Sequence, residues 1–220
     1  MKKTLFVIVM AFIGQQSMGQ VQTGSIFVTG FGSFYSDGGE TTTSITGNPP
    51  TTTEHDKYSG GSFGIGGGYF LSDNIAVGAG VSMYGTKMTP VDTADPERKT
   101  NGFSFGVFAR YYVPMSDNFY FFGQLSYSLM TGSSSMTQGG TETEGPKMMG
   151  HMIGIQPGFT FFPTSRIGLD LTFGNIGWSG TTTKTDLGGG NTIESKTSGL
   201  DVNFDLTSVT FGVQYFFGGD

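Results

Sequence analysis

At 220 residues, with 38 glycines, 21 phenylalanines and only 13% charged residues, the chain reads as one aromatic-rich domain. The glycines keep no three-residue period, which excludes collagen, and so many rings would be costly to leave in water, which excludes a disordered chain. A formal charge of −6 argues against a nucleic-acid partner, and the absence of cysteine excludes disulfides, zinc–thiolate sites and thiol catalysis.

The first element is a leader. "MKKTLFVIVMAFIGQQSMGQ" opens on Lys2 and Lys3, continues in an apolar run from Leu5 to Ile13, and ends on the small residues Ser17 and Gly19. That order is the signature of a secretory signal peptide over residues 1–19, cut between Gly19 and Gln20, and its apolar run is too short to span a bilayer as a helix. Loss of the two lysines takes the formal charge from −6 to about −8. The exported domain is then residues 20–220.

From Gly24 onward the dominant period is two, the period of strands. After a first strand near residues 25–35, whose facing the pattern leaves open, residues 61–71 put Phe63, Ile65, Tyr69 and Leu71 on one face and Ser62, Gly64, Gly66 and Gly68 on the other. Residues 75–83 set Ile75, Val77, Val81 and Met83 against Ala76, Gly78, Gly80 and Ser82. Residues 103–113 set Phe103, Phe105, Val107 and Tyr111 against Ser104, Gly106, Phe108, Arg110 and Tyr112. Residues 119–129 set Phe119, Phe121, Leu125 and Tyr127 against Tyr120, Phe122, Gln124 and Ser126. Strands around 153–161 and 167–173, and a last one through Val209, Phe211, Val213 and Tyr215, bring the expected count to eight.

The links alternate. Three are tight turns built from Pro, Ser, Asp and Asn: Ser72-Asp73-Asn74, residues 114–118 and residues 163–166. Four are long and polar (residues 37–57, 88–100, 132–147 and 179–201) and are expected to sit in water as loops. This is an even-stranded meander with both ends on the tight-turn side. The interior of an eight-stranded barrel is just wide enough for side chains. The bulky apolar set would overfill it, so the small and polar set faces in and the apolar set faces lipid. Aromatics collect at both strand ends, Tyr69, Tyr111, Phe119, Phe161 and Tyr215 by the tight turns and Phe63, Phe103, Tyr127 and Trp178 by the long links. Two such belts match the girdles of a transmembrane β-barrel.

The hairpin "GYFLSDNIAVGAG" is repeated in "RYYVPMSDNFYFFGQ" and echoed by "PGFTFFPTSRIGLDLTFG". On these residues the chain resembles the small outer-membrane β-barrel family that includes OmpX and the OmpA transmembrane domain. The resemblance implies an all-β fold, an eight-stranded antiparallel up-and-down barrel in the cell outer membrane, with the Ser-Asp-Asn hairpins as periplasmic turns. It implies contact with outer-membrane lipid, delivery by barrel-assembly machinery, and a C-terminal aromatic signal. Here Phe217 is followed by Gly218, Gly219 and Asp220. Pro157, inside the sixth strand, removes a ladder donor and predicts a bulge.

Candidate chemistry is sparse. "GIGGGYF" has no helix after it and reads as a strand with a small inner face, not a phosphate loop. His55 and His151 have no ligand spacing between them, so neither a metal nor a cofactor is expected. His151, with Ser133, Ser134, Ser135, Glu142 and Glu144, has the residue types of a lipid-modifying enzyme but no nucleophile–base spacing. Arg110 and Asp170 both face the polar side, each four positions from a tight turn, and an ion pair across the lumen would offset two costly charges. With Gln124, Gln156 and Tyr112 they form an expected polar plug. The expected protein is a monomer without enzymatic activity, with a structural or surface-interaction role: envelope integrity, adhesion or shielding through the exposed loops and an extracellular partner. A narrow porin-like channel for small or apolar solutes is the alternative. A lipid-modifying enzyme and a soluble lipocalin-like binder with inverted faces stand behind it.

Overall fold

The computed structural model describes residues 21–44, 49–92, 94–204 and 209–217. The leader with its Gly19–Gln20 junction, and the residues after Phe217, lie outside the described residues. Twelve strands follow one another: β1 (Ile26–Asp37), β2 (Glu40–Thr43), β3 (Thr51–Glu54), β4 (Lys57–Ser72), β5 (Ile75–Thr89), β6 (Glu97–Ser116), β7 (Phe119–Gln138), β8 (Thr141–Thr164), β9 (Ile167–Thr172), β10 (Asn175–Gly188), β11 (Asn191–Asn203) and β12 (Thr210–Phe217). Eight of them close a ring by antiparallel ladders in the order β1-β4-β5-β6-β7-β8-β9-β12 and back to β1. The chain is therefore an all-β, eight-stranded antiparallel barrel.

The three expected tight turns fall at Asp73-Asn74, Asp117-Asn118 and Ser165-Arg166. The repeated turn has a repeated use. Backbone carbonyls of Asn74, Asn118 and Arg166 accept from the amides of Tyr112, Phe162 and Phe216, so each turn docks on the strand beyond its own hairpin. At the N-terminal side Asp73 accepts from both the amide and the hydroxyl of Thr23, at 3.0 and 2.8 Å, tying the chain start to the first turn.

Two long links differ from expectation. Residues 132–147 and 179–201 are not loops but the tops of hairpins. The β7–β8 ladder runs out to Gln138↔Thr141 around Gly139 and Gly140, whose φ values of 57 and 81° suit a two-residue hairpin turn. β10 and β11 pair out to Gly188↔Asn191. Residues 41–43 and 51–53, read as unpaired, pair with each other in the β2–β3 ladder. Polar composition hides these strands because a ladder outside both lipid and core needs no apolar face.

The seventh and eighth barrel strands are each in two pieces. β10 continues the line of β9 along β8, with residues 173–174 between the two pieces, and β11 continues β12 along β10. Next to Pro157 the register on β8 slips by one: Gly158 pairs with Thr172, but Ile155 pairs with Ile176. The irregularity expected at that proline falls on its β9–β10 side, while the β7–β8 ladder runs through it as Gly123↔Pro157.

The apolar set does face outward. Phe63 is 67% exposed, Ile65 58% and Phe211 63%, whereas Phe27, Phe70, Tyr112 and Phe122 are fully buried inside. The first strand resolves with Ile26 and Val28 outward and Phe27 inward. The excesses of glycine and of phenylalanine turn out to be one feature. Directly across the ladder, Phe27 faces Gly68, Phe31 Gly64, Phe108 Gly78, Phe122 Gly158 and Tyr84 Gly102. A Cβ on Gly68, Gly64, Gly78, Gly158 or Gly102 would stand 2.5, 2.5, 2.4, 2.3 or 2.2 Å from the facing ring. Each ring lies over the bare backbone opposite, and that is how rings fit a lumen this narrow.

Candidate functional site

The lumen divides into two levels. At the tight-turn end, six rings form a closed circuit: Phe27–Phe70 (5.7 Å between centroids), Phe70–Tyr112 (5.4 Å), Tyr112–Tyr120 (6.3 Å), Tyr120–Phe162 (5.4 Å), Phe162–Phe216 (5.3 Å) and Phe216–Phe27 (5.5 Å). Tilted and edge-to-face pairs of this kind contribute about 0.5–1.5 kcal/mol each beyond the area they bury. An interior that was expected to be small and polar is a plug of aromatic rings at this end.

Directly above it lies the charged cluster. Arg110 on β6 donates from Nη1 to Asp170 Oδ2 on β9 at 2.6 Å and to the Tyr112 hydroxyl at 2.9 Å. Its Nε and Nη2 both reach Gln124 Oε1 on β7, at 3.0 and 2.8 Å. The guanidinium carbon stands 3.9 Å over the Phe122 ring, a stacked cation–π contact. Asp170 Oδ1 accepts from the Thr160 hydroxyl at 2.6 Å, and Oδ2 accepts from the Gln214 amide as well as from Arg110. Arg110 and Asp170 are each 7% exposed. A buried pair is tolerated only when its remaining hydrogen-bond capacity is used, and here it is.

The structure thus brings together Arg110, Asp170, Gln124 and Tyr112. Gln156 lies beside Gln124 across the β7–β8 ladder and lines the cavity above, while Thr160 and Gln214 supply the carboxylate's further hydrogen bonds. Sequence reading missed those two. Thr160 is the direct ladder partner of Asp170, and Gln214 follows from the inward parity of β12, where Gly212, Gln214 and Phe216 alternate with Val213, Tyr215 and Phe217.

Above the cluster the lumen opens into a cavity of about 280 Å³ walled by serines and glycines, among them Ser62, Gly66, Ser104, Gly106, Ser126 and Ser128. A second cavity of about 1080 Å³ adjoins it at Gln156 and Thr210. The β1–β12 ladder ends at Gly32↔Phe211, so residues 33–37 of β1 are laddered to β4 alone, and β11 to β10 alone, among the described residues. The larger cavity lies between these two edges.

The residue types of a lipid-modifying enzyme are not assembled. His151 points outward, packed against Trp178 with ring centroids 5.1 Å apart and planes tilted by 44°. Its ladder partner is Leu129, whereas Ser133 pairs with Lys147 four residues further along, about 13 Å away. Glu142 and Glu144 are farther still, paired with Thr137 and Ser135. His55 Nε2 meets the Thr41 hydroxyl at 2.7 Å.

A closed eight-stranded barrel with an apolar exterior and a filled lower lumen is the architecture of the small outer-membrane β-barrel proteins, and its exterior can be solvated only by lipid. Among solved structures the chain is similar to outer membrane protein OprG from Pseudomonas aeruginosa, with a TM-score of 0.50 at 14% identity over 89% of this chain and 97% of that one. It is also similar to the Neisserial surface protein NspA (TM-score 0.43, 14% identity, 89% and 98% of the two chains) and to Ail, the attachment invasion locus protein of Yersinia pestis (0.42, 11%, 89% and 99%). No protein-family profile and no curated protein sequence matches it. The fold and the lipid-facing exterior make this an outer-membrane barrel in contact with bilayer lipid.

Proposed function

We propose that this protein is a non-conducting, non-enzymatic monomeric barrel that stabilises the envelope and presents its tall hairpins to an extracellular partner, after insertion by the barrel-assembly machinery. The observation that supports this reading is the plug: the ring circuit and the Arg110–Asp170 cluster fill the lumen across its whole section at one end. The hairpins β7–β8 and β10–β11 extend the wall well past the aromatic belt and carry Thr, Ser, Gly and charged residues suited to polar contacts. Planar-bilayer recording tests it. The expected result is no steady conductance from the wild type. A stable ohmic channel that Arg110→Met changes would overturn it.

A second reading has its own observation. The larger cavity is lined by residues 33–37 of β1 and by Asp201 and Asn203 of β11, which no ladder joins among the described residues, and it adjoins the upper lumen cavity. Such a seam suits a small apolar solute that enters from outside and leaves sideways into lipid, and such a route carries no ions. Uptake of a lipid-soluble dye by vesicles, with and without a disulfide installed across the seam, separates this reading from the first.

A further inference from the structure

All six lysines among the described residues point out of the barrel wall, not into the lumen. Lys57 on β4, Lys87 on β5, Lys99 on β6, Lys147 on β8, Lys184 on β10 and Lys196 on β11 share the outward face with Phe63, Met83, Phe103, Met149 and Trp178 of their own or neighbouring strands. They also share a level. Lys87 and Lys99 lie four residues beyond Met83 and Phe103, and Lys196 lies four beyond Leu200, the ladder partner of Trp178. Four residues are about 13 Å along a strand, or about 10 Å above the aromatic ring once the barrel tilt of about 40° is included. The apolar stem of a lysine can bend back over that distance toward the headgroups.

Their pairing is the unexpected part. Lys87 is the direct ladder partner of Lys99, and Lys147 is the direct ladder partner of Lys184. Like charges directly opposed on a sheet are destabilising. One glutamate serves each group: Glu97 meets Lys87 and Lys99 at 2.7 and 3.1 Å, and Glu194 meets Lys196 and Lys184 at 2.9 and 3.4 Å. Each carboxylate is held below its ordinary range, Glu97 mainly by the hydrogen bond from Lys87 and Glu194 mainly by that from Lys196. One negative charge between two ammoniums leaves each group cationic. Of the other acids of these hairpins, Glu142, Glu144 and Asp186 lie farther out beside the turns, and Asp201, next to Leu200, alternates onto the opposite face of β11 from the lysines. Positive charge therefore sits nearest the membrane and negative charge farthest from it, on a protein whose formal charge is −6.

We propose that the two lysine pairs, Lys87–Lys99 and Lys147–Lys184, are binding sites for the phosphate groups of anionic lipid in the outer leaflet. Glu97 neutralises only one of the two charges of the first pair and Glu194 meets only Lys184 of the second, so a phosphate group, with several anionic oxygens, can take the ammonium donors left over. The second site has a floor for the lipid's apolar part: a groove of about 480 Å³ on the outer wall, lined by Leu129, Met149, His151, Trp178 and Lys196. This inference rests on the barrel's place in a bilayer and is independent of whether the hairpins have a partner.

The test compares urea unfolding of the full protein in phosphatidylcholine vesicles with and without lipid A, for the wild type and for the double variants Lys87→Gln with Lys99→Gln and Lys147→Gln with Lys184→Gln. In phosphatidylcholine alone, relief of repulsion and loss of the exposed Glu97 and Glu194 ion pairs are both small, so the variants should stay close to the wild type. With lipid A the wild type should gain stability and each double variant should lose most of that gain. Affinity for lipid A should fall about fivefold for each lysine removed, the scale of one basic side chain at an anionic surface. That difference between the two vesicles is the signature. Equal behaviour of variants and wild type in lipid A overturns the proposal. So does full reproduction of the gain by inorganic phosphate in phosphatidylcholine vesicles, which would assign the sites to free anions and not to lipid. A fall of equal size in both vesicles would make the lysines merely structural and overturn it as well.

Discussion

From the tight turns up to Gln124, the lumen face is filled: Phe27, Phe70, Tyr112, Phe122, Phe162 and Phe216 interlock, and every charge above them is hydrogen-bonded. From Ser126 upward the same inner faces carry mostly serine and glycine around a cavity of about 280 Å³, and among the described residues the β1–β12 ladder ends at Gly32. The two halves share strands, parity and exterior, so the difference lies only in what the inner face carries. The lower half is held by an interlocked set of rings and a buried ion pair, and the upper half by its ladders with only scattered ring-on-glycine contacts, such as Phe31 on Gly64 and Tyr84 on Gly102. Stability should therefore concentrate below and tolerance to change above.

The largest break in that contrast should come from the buried ion pair. Asp170→Ala leaves Arg110 charged with Gln124 and Tyr112 as its remaining partners, and should cost about 3–5 kcal/mol in urea unfolding from lipid vesicles. The double change Arg110→Met with Asp170→Leu should be close to neutral. If the single change costs no more than the double, the interior is wet enough to solvate Arg110 and the lower half is not sealed.

Next is the fit of rings to glycines. A Cβ at Gly158 would lie 2.3 Å from Phe122 Cζ and 2.8 Å from the Leu171 carbonyl oxygen, so Gly158→Ala should cost about 1–3 kcal/mol. Gly123→Ala, on the outward face with nothing within 4 Å, should stay within about 0.5 kcal/mol of wild type. Equal effects would mean that the plug repacks freely.

On the upper side, deletion of residues 41–53 removes the small β2–β3 ladder, which pairs only with itself among the described residues. Loop closure changes slowly with length, so the shift should be under about 1 kcal/mol, with heat-modifiable gel mobility retained. Failure to insert would show that the upper half does hold the barrel.

The smallest effect concerns acid. Thr23, through its amide and then its hydroxyl, holds the Asp73 carboxyl below its ordinary range. A depressed carboxyl adds stability above its unfolded value, near pH 3.9, and that stability is lost as pH falls through the folded value. Asp73→Asn should remove this slight acid-dependent component and leave the neutral-pH midpoint nearly unchanged. A variant with the same acid profile as wild type would detach the chain start from the first turn.

Much of the lower half was legible in the sequence because its cause is local. Alternation along 103–113 and 119–129 places Arg110, Tyr112 and Gln124 on one face without reference to any other strand, and the Ser-Asp-Asn turns set the hairpins. The ring circuit was not legible, since Phe27, Phe70 and Phe216 come together only once the register between distant strands is set. The tall hairpins were hidden for a different reason: Thr- and Ser-rich ladders in water show no apolar face.

The linear sequence by itself determined strand count, the facing of every strand but the first, and the solvent outside the wall, because a period of two and a bulky outer set leave an eight-stranded lumen no other choice. The Arg110–Asp170 meeting was expected from depth and parity, but tertiary structure alone decided its geometry and the other groups that meet across the lumen. Arg110 reaches Asp170 from 60 residues away, Gln214 completes the carboxylate from 44 residues away, and each ring finds its glycine only through a register that closure of the barrel sets. Alternation fixes the direction of a side chain, but its neighbours are fixed by the stagger of strands, and that is a property of the closed ring.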